Sequence, residues 1–283
     1  MNSAEYWLYS RDGLRLFSRV YAGPRAGAPT VLCLHGLLRN SRDFEELAPH
    51  LAERYRVIVP DVRGRGFSER DPDPAHYEIP VYLQDLEPLL GGLGVERTAV
   101  IGTSMGGLMA MVLAASRPNL VTRIVLNDVG PEVDPAGLER IRGYAGKAPS
   151  ARSWSEAAAQ LRLTFGAAWP DLEPSRWEAL ARRSYRESDA GIIEADADPR
   201  IGDVVRSSSS VAPDLWPLWN ALAGLPVLAL RGAHSDILSD ATLARMQREK
   251  ADLRTVTVPQ RGHAPLLDEP ECLTAIDEFL SAV

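Results

Sequence analysis

Residues 100–115 read VIGTSMGGLMAMVLAA and set one serine, Ser104, among glycines inside an apolar run. Gly102 lies two residues before it, and Gly106 and Gly107 follow. Glycine-rich turns join strands to helices in many proteins, so this stretch alone fits an ordinary connection. Chance gives roughly 0.1 G-x-S-x-G matches in a chain of this glycine and serine content. The context says more, because a strand-like run precedes the serine and a helix-like run follows it, as around a nucleophilic serine on a tight turn.

Short apolar runs alternate with helix-length segments along the rest of the chain. Two runs on either side of Asp12-Gly13 predict an opening hairpin. Six further runs predict strands at 30–36, 55–61, 97–102, 122–128, 225–232 and 254–259. This alternation predicts an α/β fold, with a mostly parallel sheet and helices on both faces.

One connection is too long for an ordinary crossover. About 95 residues separate the fourth and fifth of these six runs, where about 10–15 residues plus short loops suffice. We therefore predict a helical cap, or lid, at 131–220, inserted after the sixth strand, and a core formed by 1–130 and 221–283. Trp216 and Trp219 precede the return to the sheet. They either contact substrate or only join the cap to the core, and both readings stay open.

Composition excludes several classes of protein. The chain has 283 residues, a net charge of −7 and 45% hydrophobic residues, which is typical of a globular protein and gives no basic footprint for nucleic acid. Its two cysteines, Cys33 and Cys272, have no metal-ligand spacing. No apolar run resembles a signal peptide or reaches the ~18 residues of a membrane helix. We expect a cytoplasmic protein without membrane or nucleic-acid partners.

A serine hydroxyl needs a base before it can attack a carbonyl. His263 lies in VPQRGHAPLLDEP, just after the last predicted strand, where the loop brings its imidazole over the edge at which Ser104 lies. The other four histidines are less well placed: His50 and His76 in polar segments, His35 at a strand end, and His234 in a loop.

Two aspartates compete to orient that base. Asp236 follows the next-to-last parallel strand and keeps the chain order serine, aspartate, histidine. Asp128 ends the strand after Ser104, where it can instead hold a loop through side-chain-to-backbone hydrogen bonds. We expect Asp236 to fill the role.

Six motifs follow one another along the chain: HG at 35–36, PDVRGRGFS at 60–68, GTSMGG at 102–107, LND at 126–128, LRGAHSD at 230–236 and GHAP at 262–265. Taken together, they resemble those of the α/β-hydrolase fold superfamily, in its capped serine-hydrolase branch of esterases and enol-lactonases. The resemblance implies that Ser104 is the nucleophile, Asp236 the acid and His263 the base. It also implies an oxyanion hole formed by the backbone N–H groups of Leu37 and Met105. Capped dehalogenases and epoxide hydrolases carry aspartate in place of Ser104, which argues against both.

The resemblance implies hydrolysis of a small carboxylic ester or lactone through an acyl-enzyme, without a metal or organic cofactor, by a monomer or homodimer. Carbon–carbon bond hydrolysis of vinylogous diketones and acyl transfer are the alternatives, and a non-catalytic receptor has little need of a complete triad. The residues after His263 favour the esterase and lactonase branches. Arg63 and Arg65 either anchor a substrate carboxylate or stabilise their own turn.

Overall fold

A computed structural model of the chain describes residues 3–207 and 214–282. Within these residues the chain forms ten strands: β1 (Ala4–Tyr9), β2 (Arg15–Tyr21), β3 (Thr30–Leu34), β4 (Arg56–Pro60), β5 (Thr98–Thr103), β6 (Val121–Asn127), β7 (Tyr185–Glu187), β8 (Ile193–Ala195), β9 (Val227–Gly232) and β10 (Arg254–Val258). Eight of them form one sheet in the order β1-β2-β4-β3-β5-β6-β9-β10. Within this sheet, β1 pairs antiparallel with β2 and β2 pairs antiparallel with β4, whereas all the other neighbouring strands are parallel. The predicted α/β sheet is therefore confirmed.

The helices, in chain order, are α1 (Leu47–Ala52), α2 (Ile79–Gly92), α3 (Met105–Ser116), α4 (Pro135–Tyr144), α5 (Trp154–Phe165), α6 (Pro174–Ser184), α7 (Arg200–Ser207), α8 (Trp216–Ala221), α9 (Asp240–Glu249) and α10 (Pro270–Ser281). In the described part of the chain, no helix is both long enough and apolar enough to cross a lipid bilayer.

The central strands of the sheet are buried on both faces, which explains their continuous apolar runs. In β3, Val31 and Cys33 pack on the face covered by α1 and α10, while Leu32 and Leu34 pack on the face covered by α2 and α3. Successive side chains of a strand point to opposite faces, so burial on both sides demands a continuous apolar run. The pairing brings the carboxyl ends of β3, β5, β6, β9 and β10 to one edge of the sheet.

Between β6 and β9 the chain leaves the sheet. This segment holds α4 to α8 and a two-stranded antiparallel sheet formed by β7 and β8. Part of it has an apolar core of its own, in which Trp169 and Trp177 pack against Leu161 and Leu180. Residues 208–213, inside the expected cap, lie outside the described residues.

Candidate active site

Ser104 occupies a strained turn between β5 and α3. Its backbone has φ 52° and ψ −116°, a left-handed region that is costly for a residue with a side chain. A Cβ on Gly102 would collide with the backbone of Gly106, one on Gly106 with the carbonyl of Leu34, and one on Gly107 with the side chain of Val129. The glycines around Ser104 are thus needed for close packing of the turn on the sheet, which explains the sequence pattern.

His263 joins the serine to a buried carboxylate. Its Nε2 lies 2.9 Å from Ser104 Oγ, and its Nδ1 lies 2.8 Å from Asp128 Oδ2. His263 is 8% exposed and Asp128 is fully buried. Because an ionised carboxylate only accepts hydrogen bonds, Nδ1 carries the proton, which leaves Nε2 free to accept from the serine hydroxyl.

Asp128 is held by two further donors besides His263. Its Oδ1 accepts from the N–H of Gly232 at 2.8 Å, and its Oδ2 also accepts from Ser235 Oγ at 2.7 Å. A buried carboxylate is stable only when hydrogen bonds replace its lost hydration, and here three donors supply them. The ring of His263 is therefore oriented by a carboxylate that is itself fixed.

No hydrogen bond joins Asp236 to His263 among the described residues, which corrects the sequence-based choice between the two aspartates. Its carboxylate turns away toward α4, where Arg140 donates from Nη2 to Oδ1 at 2.8 Å and from Nε to Oδ2. Burial, which raises a carboxyl pKa, is outweighed by the hydrogen bonds and charge of Arg140, so the pKa of Asp236 is lowered. In this loop it is the neighbouring Ser235 that hydrogen bonds to Asp128, the partner of His263.

The expected oxyanion donors flank the serine. Met105 begins α3, so its N–H belongs to the first turn, which has no acceptor within the helix. Leu37 follows Gly36, and a Cβ placed on Gly36 would lie 3.9 Å from the Cβ of Ser104. Neither Leu37 nor Met105 donates its N–H to another atom of the described chain. Both groups are free to bind an anionic oxygen beside Ser104.

Two buried side chains hold the Leu37 loop. Arg65 donates from Nε to the carbonyl of Leu37 at 2.9 Å. His35 accepts from the N–H of Val62 at Nε2 and contacts the carbonyl of Gly36 with Nδ1. Burial lowers the pKa of His35 to about 4, so its imidazole is neutral and Nδ1 donates.

Arg63 is also structural. It is 1% exposed and pairs with Asp12, Asp71 and Asp85. Among the described residues, the one group spaced to hold a metal ion is Asp12, Asp71 and His76. The guanidinium of Arg63 already occupies the cation position between the two aspartates of that group, and none of these residues lines the cavity at Ser104.

A narrow cavity lies over Ser104 and His263. Most of its walls are apolar, and much of them comes from the segment between β6 and β9. The large apolar side chains that this segment contributes are Ile141, Tyr144, Phe165, Trp169 and Leu180, and Arg183 adds a charged one. From the core come Leu37, Leu38 and Phe44. Inserted helices therefore cover the serine.

Arg39 brings a charge into this apolar cavity. Its Nε lies 2.8 Å from Asp43 Oδ1, and its Nη2 lies 2.7 Å from the same oxygen. Burial, which lowers an arginine pKa, is outweighed by the charge and hydrogen bonds of Asp43, so the pKa of Arg39 is raised. The guanidinium stays charged at the cavity wall.

Trp216 and Trp219, for which substrate contact and packing were both open, do not line this cavity. Trp216 donates from Nε1 to Glu132 at 3.0 Å and stacks under the guanidinium of Arg245, while Trp219 is 1% exposed in the core under the sheet. The tryptophan at the cavity is Trp169, whose Nε1 donates to the carbonyl of Ala264 at 2.9 Å, next to His263. The position of Trp216 and Trp219 just before the chain returns to the sheet therefore indicates packing. No pattern in the sequence distinguished Trp169 as a residue of the cavity.

Comparison with known proteins places this arrangement in a family. Residues 29–270 match the sequence profile of the alpha/beta hydrolase fold. The chain therefore belongs to the α/β-hydrolase family, and it is a hydrolase of that class.

Three relatives cover nearly the whole chain. It is 35% identical, over 92% of its length and 90% of the relative's, to a 3-hydroxybutyrate-oligomer hydrolase of Cupriavidus necator. It is 27% identical, over 91% of its length and 90% of the relative's, to a 2-(acetamidomethylene)succinate hydrolase of Mesorhizobium japonicum. A crystal structure of an alpha/beta hydrolase from Novosphingobium aromaticivorans superposes with a TM-score of 0.94 at 46% identity, covering all of both chains.

Proposed function

We propose that the chain hydrolyses carboxylic esters or lactones through an acyl-enzyme on Ser104, with His263 as base and Asp128 as the acid that orients it. The observation that carries the proposal is the unbroken chain of hydrogen bonds from Ser104 Oγ through His263 to Asp128. The similarity to a hydrolase of 3-hydroxybutyrate oligomers supports an ester as the bond cleaved, because the units of such an oligomer are joined by esters.

Each step uses one part of this geometry. Ser104 Oγ attacks the carbonyl carbon while His263 Nε2 takes its proton, and Asp128 stabilises the imidazolium that forms. The N–H groups of Leu37 and Met105 bind the oxyanion, an interaction worth about 3–4 kcal/mol of barrier for one donor. His263 then protonates the departing alcohol, activates a water molecule against the acyl-enzyme, and returns its proton to Ser104 Oγ as the acid leaves.

We also propose that residues 131–220 act as the cap of this site. The side chains of α4, α5 and α6 close the space above Ser104, which excludes water and strengthens the electrostatic interactions inside. The cap offers mostly apolar surface, and the charged side chains at the wall are Arg39 and Asp43 of the core and Arg183 of α6, so the ester group enters a largely apolar pocket. A small-molecule ester or lactone is the partner we propose, with no metal in the reaction.

The test uses p-nitrophenyl acetate, which requires only the nucleophile and a small pocket. The wild-type enzyme should release a burst of p-nitrophenol, and mass spectrometry should find the acetyl group on the peptide that contains Ser104. Ser104→Ala should lower turnover at least ~10⁴-fold, since removing a triad member leaves only binding and the oxyanion hole. Undiminished turnover by folded Ser104→Ala, or an acetyl group on another residue, would show that the proposed nucleophile is wrong.

A further inference from the structure

A second and larger cavity adjoins the one at Ser104. It has about 570 Å³ of free volume, against about 90 Å³ at the serine. Its lining comes from α4, α5, β8 and the chain after β8, and includes Gly143, Gln160, Leu161, Thr164, Ala195 and Pro199. Four residues line both cavities: Leu38, Arg39, Tyr144 and Phe165.

The volumes indicate how a substrate is divided between the two cavities. Pockets that bind small molecules usually measure about 300–1,000 Å³, so the space at Ser104 by itself accommodates little more than the ester group. The second cavity falls within that range. Because Arg39, Tyr144 and Phe165 line both cavities, the two lie side by side, and a chain that extends from the ester past these side chains would reach the second cavity.

The charges of the second cavity indicate what lies at the far end of that chain. Arg70 and Lys147 line it, and neither forms an ion pair within the described residues. Its other unpaired charge is Glu194, because Asp198 is neutralised by Arg200 at 2.6 Å. The cavity thus has one more free positive charge than negative, on a chain whose net charge is −7.

The middle of the cavity suits an aliphatic chain. Leu161 and Phe165 offer apolar surface, and Leu163 lines the cavity although it is 89% exposed. An occupant with an apolar chain and one anionic end satisfies these features together.

We propose that the second cavity binds the far end of a linear ester whose chain ends in a carboxylate, with Arg70 and Lys147 as its counter-charges. This inference rests on the proposed ester hydrolysis at Ser104 and adds the substrate class. The selectivity it predicts is for long over short esters, and for acid-ended over neutral esters of the same length.

Gly143 allows the cavity to be filled without disturbing the serine. It lies in α4, a Cβ built on it meets no atom within 4 Å, and it does not line the cavity at Ser104. Replacing a helical glycine removes about 1 kcal/mol of unfavourable helix propensity, so the variants should fold. Gly143→Phe adds a ring at the wall of the second cavity, and Gly143→Ala is the matched small control.

The experiment compares kcat/KM for monoethyl suberate, 6-acetoxyhexanoate, their neutral counterparts ethyl octanoate and hexyl acetate, and p-nitrophenyl acetate. The first two carry the carboxylate on the acyl and on the alcohol side, so the preferred one shows which side enters the second cavity. The wild-type enzyme should hydrolyse the better of the two acid-ended esters about tenfold faster, in kcat/KM, than its neutral counterpart. Gly143→Phe should reduce the ratio of that ester to p-nitrophenyl acetate about tenfold, and Gly143→Ala should retain the ratio.

Charge variants complete the test. Arg70→Gln and Lys147→Gln should each reduce the acid-over-neutral preference several-fold, whereas Arg248→Gln, an exposed cation on α9 outside both cavities, should not. Equal rates for acid-ended and neutral esters in wild-type enzyme, or an unchanged ratio in Gly143→Phe, would overturn the inference. If the inference fails but turnover of p-nitrophenyl acetate still depends on Ser104, the proposed function stands. If that turnover does not depend on Ser104, the proposed function itself is wrong.

Discussion

The carboxyl edge of the sheet and the segment inserted after β6 hold their polar groups differently. At the edge, Asp128 is fully buried and accepts hydrogen bonds from three groups of the core. Where the inserted segment meets the edge, the ion pair of Arg140 and Asp236 leaves about a third of each side chain exposed. The edge therefore fixes the reacting atoms, and the insertion shapes the space around them. Changes at the edge should alter the rate, while changes in the insertion should alter stability or substrate preference.

The largest effect should follow Asp128→Asn. An amide of the same size presents a donor where the carboxylate accepted from Ser235 and His263, so the ring takes the wrong tautomer or orientation. We expect kcat for p-nitrophenyl acetate to fall about 10⁴-fold. Circular dichroism and the melting temperature would establish that the variant is folded. A folded variant that kept kcat within a factor of ten would remove Asp128 from the mechanism.

Trp219→Ala should test the insertion's attachment to the core. Because its indole is buried under the sheet, truncation should lower the free energy of unfolding by roughly 3–5 kcal/mol and leave the preference among acyl chain lengths unchanged. Trp169→Ala is the comparison, since that ring lines the cavity at Ser104 and its loss should change the preference. Urea unfolding measures the free energy of unfolding, and kcat/KM for esters of increasing acyl chain length measures the preference. A changed preference among acyl chain lengths in Trp219→Ala would show that this residue contributes to substrate binding.

Acid should weaken the edge through His35. Its pKa is about 4 in the fold and about 6.5 in the unfolded chain, so the unfolded chain binds more protons between these values. The stabilisation is complete above the unfolded value and is lost as the pH falls through the folded one. From pH 7 to pH 4 this group should remove about 3 kcal/mol from the free energy of unfolding. His35→Gln lacks the titration, so its unfolding free energy should change less over that range. An equal change in both proteins would contradict the assignment.

The smallest effect should follow Asp236→Asn. The variant loses an ion pair with Arg140 in which about a third of each side chain is exposed, worth less than about 1 kcal/mol of unfolding free energy. Because no hydrogen bond joins Asp236 to His263 in the described part of the chain, kcat should change only several-fold, through looser placement of α4. Arg140→Gln breaks the same pair from the other side and should match it. A loss of kcat comparable to that of Asp128→Asn would give Asp236 the orienting role after all.

Much of the fold was predictable because it depends on local patterns. Apolar runs marked the strands, since burial on both faces demands them, and the glycines around Ser104 marked the turn that their missing side chains permit. The inserted segment was visible as a connection of excess length. Its two-stranded sheet, β7 with β8, was not predicted, because strands of three residues leave no periodicity to read.

The orienting aspartate could not be predicted from the sequence. Asp128 and Asp236 both follow strands that end at the same edge, and both precede His263 in the chain. What separates them is the direction of each side chain in its loop, which depends on neighbours distant in sequence. Gly232 and Ser235 direct Asp128 toward the histidine, and Arg140 draws Asp236 toward α4.

The measurement that decides between the two aspartates is the rate at which a fluorophosphonate labels Ser104 in Asp128→Asn and in Asp236→Asn. Labelling needs no knowledge of the natural substrate and reports only how well the base activates the serine. If Asp128 orients His263, labelling should slow by orders of magnitude in Asp128→Asn and stay near the wild-type rate in Asp236→Asn. The reverse ranking, measured on folded proteins, would contradict the hydrogen-bonded chain from Ser104 to Asp128 as the source of activity.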